Sequence, residues 1–70
     1  MIKMIKLWIV TYVSDFKILK AKFYTYDDNG KIIYKIETSD GIERRVTKEE
    51  GNDYFMELMN KYEGRVNRIV

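Results

Sequence analysis

The sequence contains no cysteine, no histidine and no proline among its 70 residues. Without cysteine the chain cannot form a disulfide or a thiolate metal site. Without histidine it lacks the commonest zinc ligand and the side chain most often used for proton transfer near neutral pH. Nucleophiles of the Ser-His-Asp or Cys-His type are therefore excluded. Since a domain this small also has little room for a water-excluding pocket, we expect no metal, no cofactor and no enzymatic activity.

Long hydrophobic runs are missing as well. The one apolar run, Leu7 to Val13, is far shorter than the ~20 residues that a membrane-spanning helix needs. It has no small-residue cleavage site and leads directly into strand-like sequence, unlike a secretory signal. We therefore expect a cytoplasmic protein that does not contact membranes.

The length predicts one domain, spanning residues 1–70. A chain of this size buries only about 60% of the surface that it exposes when unfolded, so its core gives a thin margin of stability. Domains this small usually gain stability from disulfides, a metal or association. Since the sequence excludes disulfides and offers no usual metal ligands, we expect the additional stability to come from association with a partner or with a second copy.

The order of elements is predicted to be ββββαβ, which is a small α+β fold: an antiparallel meander with one helix packed on one face. The predicted strands are Met4 to Val13, Lys17 to Tyr26, Lys31 to Thr38, Ile42 to Val46 and a short last strand, Arg65 to Val70.

The helix has clear signals at both ends. Thr47 and Glu50 have the spacing of a capping box, and Gly64 is well placed to end the helix after Glu63. Gly51 costs about 1 kcal/mol relative to Ala in a helix, so a start at Asn52 is the alternative. The apolar stripe that should face the sheet consists of Phe55, Leu58, Met59 and Tyr62.

Asn29-Gly30 predicts a tight hairpin between the second and third strands, because both residues tolerate the positive φ of a type I′ turn. This turn sets Asp28 opposite Lys31 and fixes the register. The resulting cross-strand pairs are Phe23 with Ile36, Thr25 with Tyr34, Tyr26 with Ile33, Tyr24 with Lys35 and Lys22 with Glu37.

The first hairpin is predicted to turn through a three-residue loop, Ser14 to Phe16. Leu7 then lies opposite Phe23, and Trp8 lies opposite Lys22. A two-residue loop is rejected because it would place the apolar alternate positions of the first strand on the same face as the lysines of the second strand. For the fourth strand two registers stay open: one places Val46 in the core with Glu43 opposite Glu37, and the other pairs Glu37 with Arg44.

With these registers the sheet has two unlike faces. The face predicted to meet the helix carries Ile5, Leu7, Ile9, Val13, Leu19, Ala21, Phe23, Ile32, Tyr34 and Ile36. The uncovered face carries Lys6, Trp8, Val10, Tyr12, Ile18, Lys20, Lys22, Tyr24, Tyr26, Ile33, Lys35 and Glu37.

The uncovered face is basic and aromatic, and three interpretations of it remain open. Lysine stems and rings could simply shield the sheet. A protein interface, with a partner or in a homodimer, would use aromatic anchors and flanking charges. Single-stranded nucleic acid would stack bases on the rings and hold phosphates at the lysines. The protein interface is favoured, and its predicted residues are Lys6, Trp8, Tyr12, Lys20, Lys22, Tyr24, Tyr26 and Lys35.

The composition, dominated by Ile, Lys, Tyr, Asn and Glu, resembles that of proteins from AT-rich genomes, including phages and mobile elements. In size and expected architecture the chain resembles anti-CRISPR and other anti-defence proteins. The resemblance is one of genre and assigns no role to any residue. It implies a viral inhibitor that binds a host enzyme or defence complex in the host cytoplasm.

Overall fold

The computed structural model describes residues 2–70 and confirms the predicted α+β order ββββαβ. Five antiparallel strands form one sheet, and a single helix packs on it. The elements are β1 (Ile2–Ser14), β2 (Lys17–Asp28), β3 (Lys31–Glu37), β4 (Glu43–Val46), α1 (Lys48–Lys61) and β5 (Arg65–Arg68). Helix α1 is neither long nor apolar enough to cross a membrane.

The strand order across the sheet is β4-β3-β2-β1-β5. The predicted last strand therefore forms, and it pairs antiparallel with β1. Of the two registers left open for β4, the structure has the one that sets Val46 opposite Tyr34 and Glu43 opposite Glu37. Ile42 precedes the strand and is 61% exposed, so it takes no part in the core.

The hairpin of β2 and β3 has the predicted turn and register. Asn29 and Gly30 have φ values of 52° and 86°. The Gly30 N–H donates to Asp27 Oδ1 at 2.8 Å, which further closes the turn. All of the predicted cross-strand pairs are present.

The hairpin of β1 and β2 corrects the predicted register. Ser14 pairs with Lys17, which leaves a two-residue turn of Asp15 and Phe16 with φ values of 51° and 63°. Trp8 consequently lies opposite Phe23 rather than Lys22. Because a slip of one residue turns every side chain of a strand to the other face, the predicted facing of β1 is wrong from Lys6 to Ser14. An irregularity between Met4 and Lys6 restores the predicted register at the start of the strand, where Met4 lies opposite Tyr26.

The core explains why this register is favoured. Apolar side chains occupy both parities of β1, so either face of the strand can be buried. In the observed register Val10 is fully buried opposite Ala21, against Leu58 of the helix. The rings of both strands meet the helix around this centre: the half-buried residues of the cluster are Tyr12, Phe23, Tyr54, Phe55, Met59 and Tyr62.

Both ends of α1 are defined by specific contacts. At the N-terminus Thr47 and Glu50 form the predicted capping box, with the Glu50 N–H donating to Thr47 Oγ1 at 3.1 Å and the Thr47 N–H donating to Glu50 Oε1 at 3.0 Å. At the C-terminus Glu63 has a positive φ of 50°. The buried Gly64 N–H then donates to the Leu58 carbonyl at 3.0 Å. The helix therefore starts where its capping box predicts and ends two residues before the predicted end.

Candidate functional site

The open face is the side of the sheet opposite α1, and it is the candidate functional site. Alternation along the strands and the observed pairings assign its members. Its central residues are Leu7, Ile9, Thr11, Val13, Ile18, Lys20, Lys22, Tyr24, Tyr26, Ile33, Lys35, Glu37 and Arg45.

Five of the eight predicted interface residues lie on this face: Lys20, Lys22, Tyr24, Tyr26 and Lys35. The other three, Lys6, Trp8 and Tyr12, lie on the side of the sheet that carries the helix, which corrects the sequence prediction.

The two displaced rings pack against α1. The Trp8 ring lies 5.7 Å from that of Phe55, and the Tyr12 ring lies 5.3 Å from that of Tyr62. In place of these residues the register brings Leu7 and Ile9 to the open face, where both are half-buried. The one-residue difference in the first hairpin causes the exchange. No parity pattern within β1 could have revealed it, because both parities are apolar.

Tyr24 and Tyr26 form a stacked pair at the centre of the open face. Their ring centroids are 5.7 Å apart, and the ring planes differ by 8°. Lys35 Nζ lies 5.7 Å from the centroid of the Tyr26 ring, within the range of a cation–π contact. Ile33, opposite Tyr26 on β3, is only 8% exposed although no helix covers it. The open face thus has a small apolar cluster of its own.

A carboxylate fixes the position of Tyr24. The Tyr24 hydroxyl donates to Glu37 Oε1 at 3.2 Å, and Lys22 Nζ lies 3.5 Å from the same oxygen. Burial, followed by the negative charge of Glu37, raises the pKa of Tyr24 to about 12. At neutral pH the hydroxyl is therefore a proton donor, and the contact holds the ring in one orientation.

The open face carries more basic than acidic side chains. The basic side chains placed on it by strand pairing are Lys20, Lys22, Lys31, Lys35, Arg45 and Arg65. The acidic ones are Asp28, Glu37 and Glu43. Six basic and three acidic side chains give the open face a net charge of +3, whereas the whole chain has +2. The excess of positive charge therefore lies on this side of the molecule.

The hairpin tip continues the open face into an apolar end. Val13 and Ile18 pair with each other beside the turn and are 58% and 73% exposed. Phe16, in the turn itself, is completely exposed. Its φ of 63° lies in the left-handed region, a backbone conformation that is rare for a bulky residue. This residue was predicted only as part of a turn, and neither its exposure nor its backbone conformation follows from the sequence.

Residues 2–70 contain no group of three or more acidic, histidine or cysteine side chains arranged to hold a metal ion. Comparisons with protein-family models, with curated proteins and with solved structures found no match to this chain. Function must therefore be inferred from the surface itself.

Proposed function

We propose that the protein is a small, non-enzymatic protein-binding module that engages a partner through the open face and the adjoining hairpin tip. One observation carries the proposal: the side of the sheet without a helix combines three features of an interface. These are a stacked pair of tyrosine rings, basic side chains around them and an exposed apolar tip next to them. Surfaces of this composition are typical of protein interfaces.

The tyrosine pair is well suited to anchor a partner. Tyr24 and Tyr26 support each other by stacking, and Glu37 holds the Tyr24 hydroxyl. A side chain that is already ordered loses little conformational entropy on binding, so more of its contact energy contributes to affinity. Aromatic residues flanked by charges are also enriched among the residues that dominate interface energetics.

The chemistry of the face defines the partner. An acidic protein surface would complement the basic side chains and be attracted to them over a distance. An apolar pocket at its border would accept Phe16. The resemblance in genre to anti-defence proteins supports a host enzyme or defence complex in the cytoplasm as this partner, with inhibition following from coverage of its working surface.

Affinity capture from host lysate with matched baits tests this proposal. The test bait carries Tyr24→Ala and Tyr26→Ala, and the control bait carries Asp53→Ala on the exposed side of α1. We expect a protein that is retained by the wild type and by the control, is lost with the test bait and elutes as salt is raised. A bound protein that the two tyrosine substitutions do not release would contradict the proposal, provided that circular dichroism shows the baits to be folded.

Single-stranded nucleic acid is the second candidate ligand, favoured by the excess of basic over acidic side chains around the half-buried rings of Tyr24 and Tyr26. Two features make it the weaker candidate: Trp8 lies under the helix, and Glu37 places a carboxylate among the lysines. Titration with labelled single-stranded DNA and RNA distinguishes the two. Binding that weakens steeply with salt would establish this candidate, whereas no binding at low salt would eliminate it.

A further inference from the structure

The hairpin of β1 and β2 extends past the end of β3 and leaves one side of β2 unpaired. Strand β3 pairs with β2 only from Lys22 onwards, where Lys22 lies opposite Glu37. At Thr38 the chain turns away from β2, since the Thr38 N–H donates to the Ile42 carbonyl at 3.1 Å. Within residues 2–70, the stretch Lys17 to Ala21 therefore pairs with β1 on one side and with no strand on the other.

The unpaired backbone groups of this edge belong to Ile18 and Lys20. In an antiparallel pair, successive residues direct their N–H and C=O groups to opposite sides of the strand. The two-residue turn makes Ser14 and Lys17 a hydrogen-bonded pair, so Lys17 and every second residue after it bond to β1. Ile18 and Lys20 direct their N–H and C=O groups the other way, as does Lys22, whose groups bond to β3. Donors and acceptors thus face solvent in the alternation that an added strand requires.

The edge is regular and accessible. Free edges are usually protected by proline, by a bulge or by a covering segment. The chain has no proline. In residues 2–70 the register of β1 and β2 shifts only between Met4 and Lys6, at the far end of the pair. Since Lys17, Ile18 and Lys20 are all exposed, a second strand can approach β2 here.

The side chains along the edge determine which segment fits. Ile18 is 73% exposed and lies opposite Val13, so an apolar residue beside Ile18 would cover both. Lys17 and Lys20 would be paired by carboxylates, because opposite charges on neighbouring strands attract. Two copies joined at this edge would bring the lysines of both hairpins together, which opposes self-association. The edge therefore favours an acidic segment of another protein.

We propose that this edge of β2 binds an extended acidic segment of the partner as an antiparallel strand. The segment takes the place beside β2 that β3 occupies further along, and it exchanges backbone hydrogen bonds with Ile18 and Lys20, which is recognition by strand addition. This docking mode rests on the proposed function, because its occupant is that partner, and it specifies how the partner is held. Ile18 belongs both to the open face and to the hairpin tip, so the added strand connects the two.

Amide hydrogen exchange followed by nitrogen-15 NMR tests the edge with a defined peptide. The probe is acetyl-Thr-Glu-Val-Ile-Glu-Thr-amide, whose second and fourth residues lie opposite Lys20 and Ile18. With nine-tenths of the protein bound, exchange at these two amides should slow about tenfold, because it proceeds only from the free tenth. The Leu19 amide already bonds to β1 and should not change. Absence of protection at Ile18 and Lys20 would overturn the proposal.

N-methylated peptides are the matched controls, because they alter single backbone donors of the probe. Methylation of the second and fourth residues removes the N–H groups that face β2 and should abolish protection. Methylation of the third residue, whose N–H faces away, should leave binding intact. Equal protection by all three peptides would show that side chains alone hold the probe and would refute strand addition.

Two variants of Lys20 separate backbone from side-chain recognition in the protein. Lys20→Pro and Lys20→Ala both lose the ammonium group, and only the proline loses the outward N–H. Proline is tolerated on an edge where the N–H faces solvent, so both variants should keep native circular dichroism. Peptide affinity should be about tenfold lower in Lys20→Pro than in Lys20→Ala, the effect of one hydrogen bond. Equal affinities would contradict the proposal, and the N-methylated peptides decide alone if Lys20→Pro does not fold.

Capture of the partner distinguishes the edge from the open face as a whole. A partner that is lost with the bait carrying Tyr24→Ala and Tyr26→Ala, but retained equally by Lys20→Pro and Lys20→Ala, would support the open face and refute strand addition. A partner that is retained by the tyrosine bait and lost only with Lys20→Pro would support strand addition and refute the tyrosine pair as the anchor.

Discussion

Gly64 is a residue whose importance comes from close packing. A Cβ added to it would lie 2.6 Å from Val10 Cγ1 and 3.2 Å from the Leu58 carbonyl oxygen. Val10 is fully buried and has little freedom to move. We expect Gly64→Ala to lower the free energy of unfolding by about 2 kcal/mol, the usual cost of overpacking a core. Denaturant unfolding monitored by Trp8 fluorescence measures this change.

Gly51→Ala is the control for this prediction, because the substitution is the same and the surroundings differ. A Cβ at Gly51 would lie 3.5 Å from Val46 Cγ2, which is an ordinary contact. Ala is the better helix former, so this variant should gain about 1 kcal/mol of stability. Effects of the same sign in the two variants would show that the close approach at Gly64 is misassigned.

Phe16 combines complete exposure with a strained backbone. A left-handed conformation costs a residue with a Cβ about 1 kcal/mol or more, and a fully exposed ring gains no packing in return. Phe16→Gly should therefore raise the thermal midpoint, although the more flexible unfolded chain offsets part of the gain. If the tip contacts the partner as proposed, the same variant should capture it less well. A lower thermal midpoint would mean that Phe16 stabilises the fold through contacts absent from this structure.

Tyr24 and Tyr54 should ionise at a higher pH than an ordinary tyrosine. The pKa of Tyr24 is raised to about 12 by burial and by Glu37, and that of Tyr54 to about 12 by burial and by the neighbouring Tyr12. A raised pKa in the folded state stabilises the protein below the unfolded value near 10, and this contribution is lost as the pH rises towards 12. Absorbance titration should show two late tyrosinates among the six tyrosines. Substitution of each by Phe should remove one. Six ionisations near pH 10 in a protein with native circular dichroism would contradict both shifts.

At the scale of residues, the sequence predicted a turn correctly where its residues favour one turn conformation over all others. Asn29-Gly30 fixed the second hairpin, because few other residues tolerate positive φ at both positions. Asp15-Phe16 adopts the same kind of turn against the preference of Phe. The parity of the flanking strands nevertheless argued against a two-residue loop here, and this error placed Lys6, Trp8 and Tyr12 on the wrong face.

At the scale of elements, the start of α1 depends on the capping box. Thr47→Ala removes the acceptor for the Glu50 N–H and should lower the free energy of unfolding by about 1 kcal/mol. Thr47→Ser keeps the hydroxyl and should restore most of this loss, which separates capping from packing. The two hydrogen bonds with Thr47 also lower the pKa of Glu50. This stabilisation is therefore present above the ordinary carboxyl pKa and fades as the pH falls through the lowered one. Equal stability of the Ala and Ser variants would show that the hydroxyl does not act as a cap.

The existence and order of the elements followed from the sequence, because capping residues, turn residues and apolar periodicity are local signals. The facing of β1 did not, since it is decided by which side chains fit beneath α1. Leu58 and its neighbours on the predicted stripe do pack on the sheet. They meet Trp8, Val10 and Tyr12 instead of the expected Leu7 and Ile9. Alternation along a strand assigns its two faces only when one set of alternate positions is polar, as the lysine positions of β2 are.

At the scale of the whole molecule, the two sides of the sheet have different roles. The side with the helix holds the main core, whose fully buried centre is Val10, Ala21 and Leu58. On the other side, side-chain contacts are made by the stacked Tyr24 and Tyr26 rings and by Glu37, which accepts a hydrogen bond from Tyr24. A core this small leaves a narrow stability margin, so binding of a partner to the open face should raise the thermal midpoint by mass action.

The distribution of charge and strand edges also predicts the oligomeric state. Two copies meeting through their open faces would bring basic side chains against basic side chains, which opposes association. The sheet edges, β4 and β5, have four residues each and offer little for edge-to-edge pairing. We therefore expect a monomer whose unfolding midpoint is the same from low to high micromolar concentration. Light scattering and thermal melts at several concentrations measure this. A doubled mass with a midpoint that rises with concentration, both reversed by Tyr24→Ala, would instead show that the open face binds a second copy.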